Sequence, residues 1–327
     1  MTRLFHGHKE NTRIMNCTMI GSHDSATHSL RGPGKSWAIT QSRGIGDQLN
    51  AGARYFDIRI TRDRKGEFIV HHGPIHGCSS KSEVITPLRQ FLQEHPNEMV
   101  LIKLQFSGMS KAQVKEYMDT EFQELSNNFA LPNHDQEGKR VLPGTITFGE
   151  ARAMKRNLMV TVSDEHLAAP HRLTQEDLGT SAWLHRDYVV DNWPNSSDSN
   201  GVIQFNEERV NELKWAKNIS QGKLGILQMQ TNINPWQTLK GGLSSIKRLA
   251  GFSNYAIPEA IRHWHKVNDF APNIILQDFI GHYNSDEIVA LVLALNTANM
   301  TEDEVEKLFP EMGLDIVIAR HHLNIHD

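Results

Sequence analysis

The chain has 327 residues, of which 39% are hydrophobic and 22% are charged, and this composition is typical of globular proteins rather than disordered or fibrous ones. The formal net charge of −4 does not favour binding to nucleic acid through a basic surface, so we expect no nucleic-acid partner. No apolar run reaches the roughly 18 residues that a membrane span requires, and residues 1–16 show no apolar segment typical of a signal peptide.

Short apolar or alternating runs predict the β-strands. In chain order they lie at 15–20, 54–60, 67–71, 99–105, 158–162, 186–190, 224–230 and 273–278. Amphipathic segments between them predict helices at 40–51, 82–95, 205–217, 255–268 and 285–296. Gly52 is placed to end the first of these helices, and Pro96 stops the second.

Strands that alternate with helices in this way indicate an α/β fold with a parallel sheet, and eight strands suggest an irregular (β/α)8 barrel of the TIM type. The irregularity is expected at 61–66, where the connection is too short for a crossover helix. Neither a repeat nor a long linker divides the sequence, so we predict one catalytic domain over 1–327, with its core at roughly 15–300. Cys17 and Cys78 lack the spacing of a metal site and are expected to remain thiols.

Polar residues collect where the predicted strands end. The sequence GSHDS follows the first strand, Asp57 and Arg59 lie on the second, HHGP closes the third, and Asp278 closes the last. Alternation places Tyr55 on the same face as Asp57 and Arg59, and that face would point into the barrel. Each feature alone is explained by an ordinary polar contact. Four of them at four strand ends predict an active site, because catalytic residues of such barrels lie there.

These motifs, in this order, resemble the X region of the phosphatidylinositol-specific phospholipases C. The resemblance extends to SWAITQ at 36–41, EHPNE at 94–98 and LQDFI at 276–280. It implies a TIM-like barrel that cleaves phosphatidylinositol, or a related inositol phospholipid, to diacylglycerol and inositol 1,2-cyclic phosphate. Asp24 directly after His23, together with Arg59, is similar to the bacterial, metal-independent members, so we expect neither a metal nor a cofactor.

The resemblance also implies the catalytic roles. His23 would be the general base, and Asp278 would orient its ring and stabilise the imidazolium. Arg59, steadied by Asp57, would offset the phosphate charge. His72, which directly precedes the glycine of HHGP, would be the general acid, with Asp24 as its partner.

Substrate-binding positions follow from the same resemblance, with departures. Asp191 is retained, and Trp193 replaces a tyrosine that could stack on the sugar ring. Gln105 stands where a lysine is expected, and Lys103 lies two residues earlier on the same face. Thr161 and Ser163 occupy a region where an arginine is expected. The head group is therefore less determined than the reaction.

Membrane contact is expected to be weak and transient, because the net charge of −4 does not favour anionic lipid. Trp37 and Trp236 are the candidate membrane-contacting residues, although most tryptophans of a large barrel belong to its core. We expect a monomer that is secreted or peripheral to a membrane surface. A cytoplasmic protein or a delivered effector is the alternative.

Two other functions remain open at this stage. One is a different phospholipid or glycerol phosphodiesterase on the same barrel, such as a glycerophosphodiesterase or a sphingomyelinase D-like enzyme. Such enzymes need acidic metal ligands beside the catalytic histidine, and Arg59 does not favour them. The other is a non-catalytic phosphoinositide-binding module, which the full set of acid, base and arginine residues does not favour.

Overall fold

A curled sheet of parallel strands forms the centre of the molecule in the computed structural model, which describes residues 10–232 and 246–326. Along the curl the hydrogen-bonded order is β7-β6-β5-β2-β1-β10-β9-β8. The strands are β1 Met19–Ser22, β2 Ala53–Arg62, β3 Phe68–His72, β4 Ile75–Ser79, β5 Val100–Phe106, β6 Leu158–Ser163, β7 Trp183–Leu184, β8 Val189–Asp191, β9 Leu224–Gln228 and β10 Ile274–Gln277. In the part of the chain that is described, no ladder joins β7 to β8, so the barrel is open there.

The expected irregularity after the second strand is confirmed. β3 runs antiparallel to β2 and pairs with β4 as a hairpin outside the barrel wall. The run at 67–71 is therefore a strand but not a barrel strand, because its short connection to β2 permits only an antiparallel return. The predicted strand at 186–190 is largely wrong. Its first residues form a single helical turn, His185–Tyr188, between the short strands β7 and β8.

The first barrel strand begins later than the predicted 15–20. Ile14–Asn16 form a 3-10 turn, and Asn273 donates its side-chain amide to the carbonyls of Ile14 and Cys17, which holds this segment out of the ladder. β1 starts at Met19, whose N–H donates to the Asn273 carbonyl. Parallel strands covered by helices have continuous apolar sequences, so the sequence pattern does not show at which residue such a strand begins.

Helices surround the strands, and most of the predicted ones are present. They are α1 Ile45–Asn50, α2 Thr86–Glu94, α3 Lys111–Asp119, α4 Gln123–Asn128, α5 Phe148–Ala153, α6 His185–Tyr188, α7 Ser199–Glu208, α8 Val210–Ala216, α9 Ile246–Asn268, α10 Ser285–Asn296, α11 Glu302–Leu308 and α12 Gly313–His322. The predicted helix 205–217 is two helices that meet at Arg209. None of the described helices is both long and apolar enough to cross a membrane.

The helix predicted at 40–51 begins only at Ile45 because Thr40 and Gln41 are engaged elsewhere, in hydrogen bonds to the ends of β1 and β10. Gly52 ends this helix as predicted. Its backbone is left-handed at φ +103°, and its N–H donates to the Leu49 carbonyl. Cys17 and Cys78 are not joined by a disulfide.

Candidate active site at the carboxyl ends of the strands

His23 and Asp278 lie side by side because the strands that precede them are paired in register. Ser22 of β1 is opposite Gln277 of β10, so the next residue of each strand emerges at the same edge of the sheet. Both side chains are buried, and His23 Nδ1 is 2.8 Å from Asp278 Oδ1. The carboxylate can only accept a hydrogen bond, so Nδ1–H donates and Nε2 is left to take up a proton.

The charges around His23 favour its protonated form. Burial alone would lower the pKa of His23, but the carboxylates of Asp24 and Asp278 raise it further than burial lowers it. Arg59 opposes this effect in part. The net result is a pKa above the usual value for histidine, which suits a base that must hold a proton during a reaction.

Arg59 of β2 lies beside this histidine and between two carboxylates. Its Nη2 is 3.3 Å from Asp57 Oδ2 and 3.3 Å from His23 Nε2, and its Nε contacts Asp24 Oδ1. Burial would lower the pKa of Arg59, but Asp24 and Asp57 raise it, so the guanidinium remains a cation. Among the described residues no partner contacts Nη1, which leaves two N–H groups to donate.

His72, the last residue of β3, also lies close to the Asp24 carboxylate. Its Nδ1 lies 2.7 Å from the Ala38 carbonyl oxygen, and its Nε2 lies 3.4 Å from Asp24 Oδ2. The same Asp24 oxygen is 3.6 Å from His23 Nε2. Neighbouring His71 is instead turned to the Gly73 carbonyl, 3.1 Å from its Nδ1. The structure thus brings together the five residues predicted to be catalytic.

One group of potential metal ligands occurs in the described part of the chain. Ligand atoms of His23, Asp24 and Asp57 lie within 4.8 Å of one another. Arg59 contacts both carboxylates of this group, so a divalent cation placed among them would be repelled by a neighbouring guanidinium. The residues present therefore fit a site neutralised by arginine better than they fit a metal site.

Deeper in the barrel, Asp191 is the centre of a second polar cluster. Its Oδ2 lies 2.9 Å from Lys103 Nζ and 3.0 Å from His185 Nε2, and its Oδ1 accepts from Gln228 Nε2. Burial would raise the pKa of Asp191, but Lys103 and His185 hold it far below its usual range. His185 and Gln228 were not predicted. Gln228 and Gln230 lie on one face at the end of the predicted strand 224–230, a signal that could have identified Gln228.

Gln105 and Trp193 adjoin the cluster around His23 and Arg59. Gln105 is buried and in register with Arg59 on the neighbouring strand. The Trp193 ring meets the His23 ring edge-on, with centroids 5.6 Å apart, and is 41% exposed. Trp37 is also 41% exposed, in the 3-10 turn Lys35–Trp37. Trp236 lies outside the described residues.

Comparison with known proteins shows a similarity to one family over part of the chain. The model of the family described as "Phosphatidylinositol-specific phospholipase C, X domain" matches residues 19–143. The chain is 30% identical over 109 residues to a 1-phosphatidylinositol phosphodiesterase of Staphylococcus aureus (strain Newman), and that match covers 33% of this chain and only 35% of the relative. It is 26% identical over 272 residues to the PI-PLC X domain-containing protein 1 of Danio rerio, across 80% of this chain and 76% of that protein.

The fold is shared over a greater length. The solved structure of the phosphatidylinositol-specific phospholipase C from Listeria monocytogenes superposes on 90% of this chain and 97% of its own, with a TM-score of 0.66 and 16% identity. The predicted α/β barrel of TIM type is therefore confirmed. The resemblance drawn from the GSHDS, DIR and HHGP motifs is confirmed as well, since these motifs fall within the matched segment. Residues 19–143 of this chain are therefore similar to the X domain of the phosphatidylinositol-specific phospholipases C.

Proposed function

We propose that the chain is a phosphodiesterase that cleaves phosphatidylinositol, or a related inositol phospholipid, to diacylglycerol and inositol 1,2-cyclic phosphate without a metal ion. One observation carries this proposal. His23 and His72 each have Nδ1 beside an acceptor, and each turns Nε2 toward the same Asp24 carboxylate, beside a guanidinium. Two imidazoles oriented in this way supply a base and an acid on the two sides of a phosphate.

The reaction assigns one proton transfer to each histidine. His23 Nε2 takes the proton of the inositol 2-hydroxyl, and that oxygen attacks the neighbouring phosphorus. The bond between phosphorus and the diacylglycerol oxygen breaks, and His72 Nε2–H delivers a proton to the departing oxygen. Asp278 stabilises the imidazolium that forms on His23. Water can open the cyclic product with the two roles reversed.

Arg59 offsets the charge that builds up on the non-bridging phosphate oxygens. Its Nε and Nη2 are held by Asp24 and Asp57, and the remaining Nη1 donors are available to the phosphate. A guanidinium fixed at two points needs little reorganisation when the charge develops, and such preorganisation is the main source of electrostatic catalysis.

The head group would bind beside Gln105, Asp191 and Trp193, the predicted substrate-binding residues. Lys103 is already paired with Asp191, and Ser163, which is in register with Gln105, is neutral, so these residues offer no unpaired cation to a further phosphate. Such a lining favours a polyol without further phosphates, with Trp193 packing against the ring. For delivery of the lipid we propose transient contact of exposed Trp37 with a membrane surface, and a secreted or peripheral location.

The test is phosphorus NMR of the purified protein with phosphatidylinositol vesicles in EDTA. We expect a cyclic inositol phosphate signal that chelation does not remove. Cleavage that appears only after calcium is added would refute the role given to Arg59. Binding to the vesicles without any turnover would favour the non-catalytic phosphoinositide-binding module instead.

A further inference from the structure

A buried glutamine joins the two strand ends that carry His23 and Asp278. Gln41 is fully buried, on the stretch 38–41 that crosses the carboxyl ends of β1 and β10. Its Nε2 donates to the His23 carbonyl and to the Gln277 carbonyl, each at 3.1 Å. Its Oε1 accepts from the Ile280 N–H at 2.9 Å. All the hydrogen-bonding groups of this amide are therefore engaged with backbone.

Gln41 links β1 and β10 at the point where the backbone hydrogen bonds between them end. The last ladder bond between the two strands runs from the His23 N–H to the Gln277 carbonyl, at 3.1 Å. Beyond it both chains turn into the left-handed region, with φ +43° at Asp24 and φ +52° at Phe279. A bulky residue such as Phe279 keeps that conformation only where its surroundings hold it, and its N–H donates to the Thr40 carbonyl at 2.8 Å.

We propose that Gln41 is a positioning residue for the catalytic base, an additional rung that fixes the separation of His23 and Asp278 by tying their backbones together. Gln41 does not touch the reacting atoms in this arrangement. It acts on the contact of 2.8 Å between His23 Nδ1 and Asp278 Oδ1, because it binds the backbone of His23 and that of Gln277 and Ile280, which flank Asp278. The consequence for turnover rests on the proposed function, whereas the geometric role does not.

Residues 38–41 serve the other catalytic residues in the same way. The Ala38 carbonyl accepts from His72, and Thr40 Oγ1 lies 3.1 Å from the His23 carbonyl and 3.2 Å from the Asp24 carbonyl. This one stretch therefore contacts both histidines and the aspartate between them. Gln41 is the member whose side chain spans the two strands.

The test replaces the glutamine and follows His23 directly. Gln41→Met removes the three hydrogen bonds with little change of volume, and Gln41→Asn keeps a neutral amide that is one methylene too short to span the two strands. Gln175→Met is the matched control, because Gln175 is a buried amide that donates to the Ala182 carbonyl at 2.7 Å and accepts from the Leu184 N–H at 2.9 Å, away from β1 and β10. Urea unfolding measures how much each of the three variants lowers the free energy of unfolding.

Two readouts separate positioning from simple destabilisation. The first is kcat and KM for phosphatidylinositol, where a misplaced base should lower kcat by up to about 100-fold with little change in KM. The second is the NMR titration of the His23 ring, identified by its loss in His23→Asn. Asp24, Asp57, Asp278 and Arg59 are the charged groups that face this ring. Only Asp278 should move away from it, so the titration should shift to lower pH in both Gln41 variants.

The proposal is overturned if the Gln41 variants titrate His23 at the wild-type pH, or if their kcat matches that of Gln175→Met. A downward shift in the titration of the Gln41 variants, absent in Gln175→Met, supports it. If the wild type does not cleave phosphatidylinositol, the proposed function fails while the titration still decides the role of Gln41. If Gln41→Met does not fold, the neutral variant Gln41→Asn supports the same comparison.

Discussion

Replacing Asp278 by asparagine tests how the catalytic base is held. The side chain keeps its shape, but the contact of 2.8 Å with His23 Nδ1 loses its negative charge. A hydrogen bond to a charged group contributes about 1.5–3 kcal/mol, which corresponds to about 10- to 160-fold in rate. If the amide also turns its NH2 toward Nδ1, the proton moves to Nε2 and the base is lost, as in a serine protease triad where the loss is about 10⁴-fold. We therefore expect kcat/KM of Asp278→Asn to be lower than that of the wild type by a factor of about 10 to 10⁴.

The pH dependence of kcat/KM in Asp278→Asn provides a second, independent test of this assignment. His23 must be neutral to act as a base, so the acid limb of kcat/KM reports its pKa in the free enzyme. Asp278 is one of the groups that raise this pKa against the effect of burial, so its neutralisation moves the limb to lower pH while the plateau falls. The assay is release of cyclic inositol phosphate from phosphatidylinositol across pH.

A control variant separates this effect from general destabilisation. Asp164→Asn changes another buried carboxylate, one that pairs with Arg172 at 3.3 Å and with Arg186 at 2.5 Å on a different loop. It should lower stability and leave the acid limb where it is. An Asp278→Asn protein with the wild-type plateau and limb would refute the assignment of His23 as a base oriented by this carboxylate.

Three further predictions concern the barrel interior and its rim. Lys103→Met should cost about 3–5 kcal/mol in the free energy of unfolding by urea, because Asp191 is left buried without its cation, and adding Asp191→Asn should recover part of the loss. Because the pKa of Asp191 is lower in the folded state, its contribution to stability is present above the unfolded pKa and is lost as the pH falls. Lys103→Met should therefore also weaken the dependence of stability on acid pH. An unchanged free energy of unfolding would contradict the pairing of Lys103 with Asp191. Gly21→Ala places a methyl group 3.0 Å from Ile274 inside the barrel and should lower the free energy of unfolding by about 1–3 kcal/mol. An unchanged free energy of unfolding would mean that the neighbouring side chains move aside at little cost. Trp37→Ala removes an exposed indole whose insertion would contribute on the order of 1.5 kcal/mol, so affinity for phosphatidylinositol vesicles should fall by about tenfold in a sedimentation assay, and equal binding would exclude this contact.

The sequence alone predicts that the candidate active-site residues lie close together, because they lie on or next to strands with clear apolar patterns. His23, Asp57, Arg59, His72 and Asp278 all lie on or directly after such strands, and parallel strands bring their carboxyl ends to one edge. The assignment of 67–71 to the barrel was wrong because alternation identifies a strand without giving its direction.

The remaining features carry no comparable signal. β7 and β8 have two and three residues, too few for a periodic pattern, so the sequence suggested one strand at 186–190 in their place. The acceptor for His72 is the backbone carbonyl of Ala38. Every residue has such a carbonyl, so the amino-acid sequence does not identify which one accepts. The engagement of Lys103 by Asp191 depends on a long-range contact, 88 residues apart along the chain, that local patterns do not encode.

The most direct test of the base and acid assignment is to compare two inositol phosphate esters as substrates for His23→Ala and His72→Ala. An aryl ester has a leaving group stable as an anion and needs no proton, whereas the diacylglycerol oxygen does. We predict that both variants lose about 10²–10⁴-fold on phosphatidylinositol, and that only His72→Ala regains nearly wild-type rates on the aryl ester. Recovery of His23→Ala, or equal impairment of both variants on the aryl ester, would contradict the assigned roles.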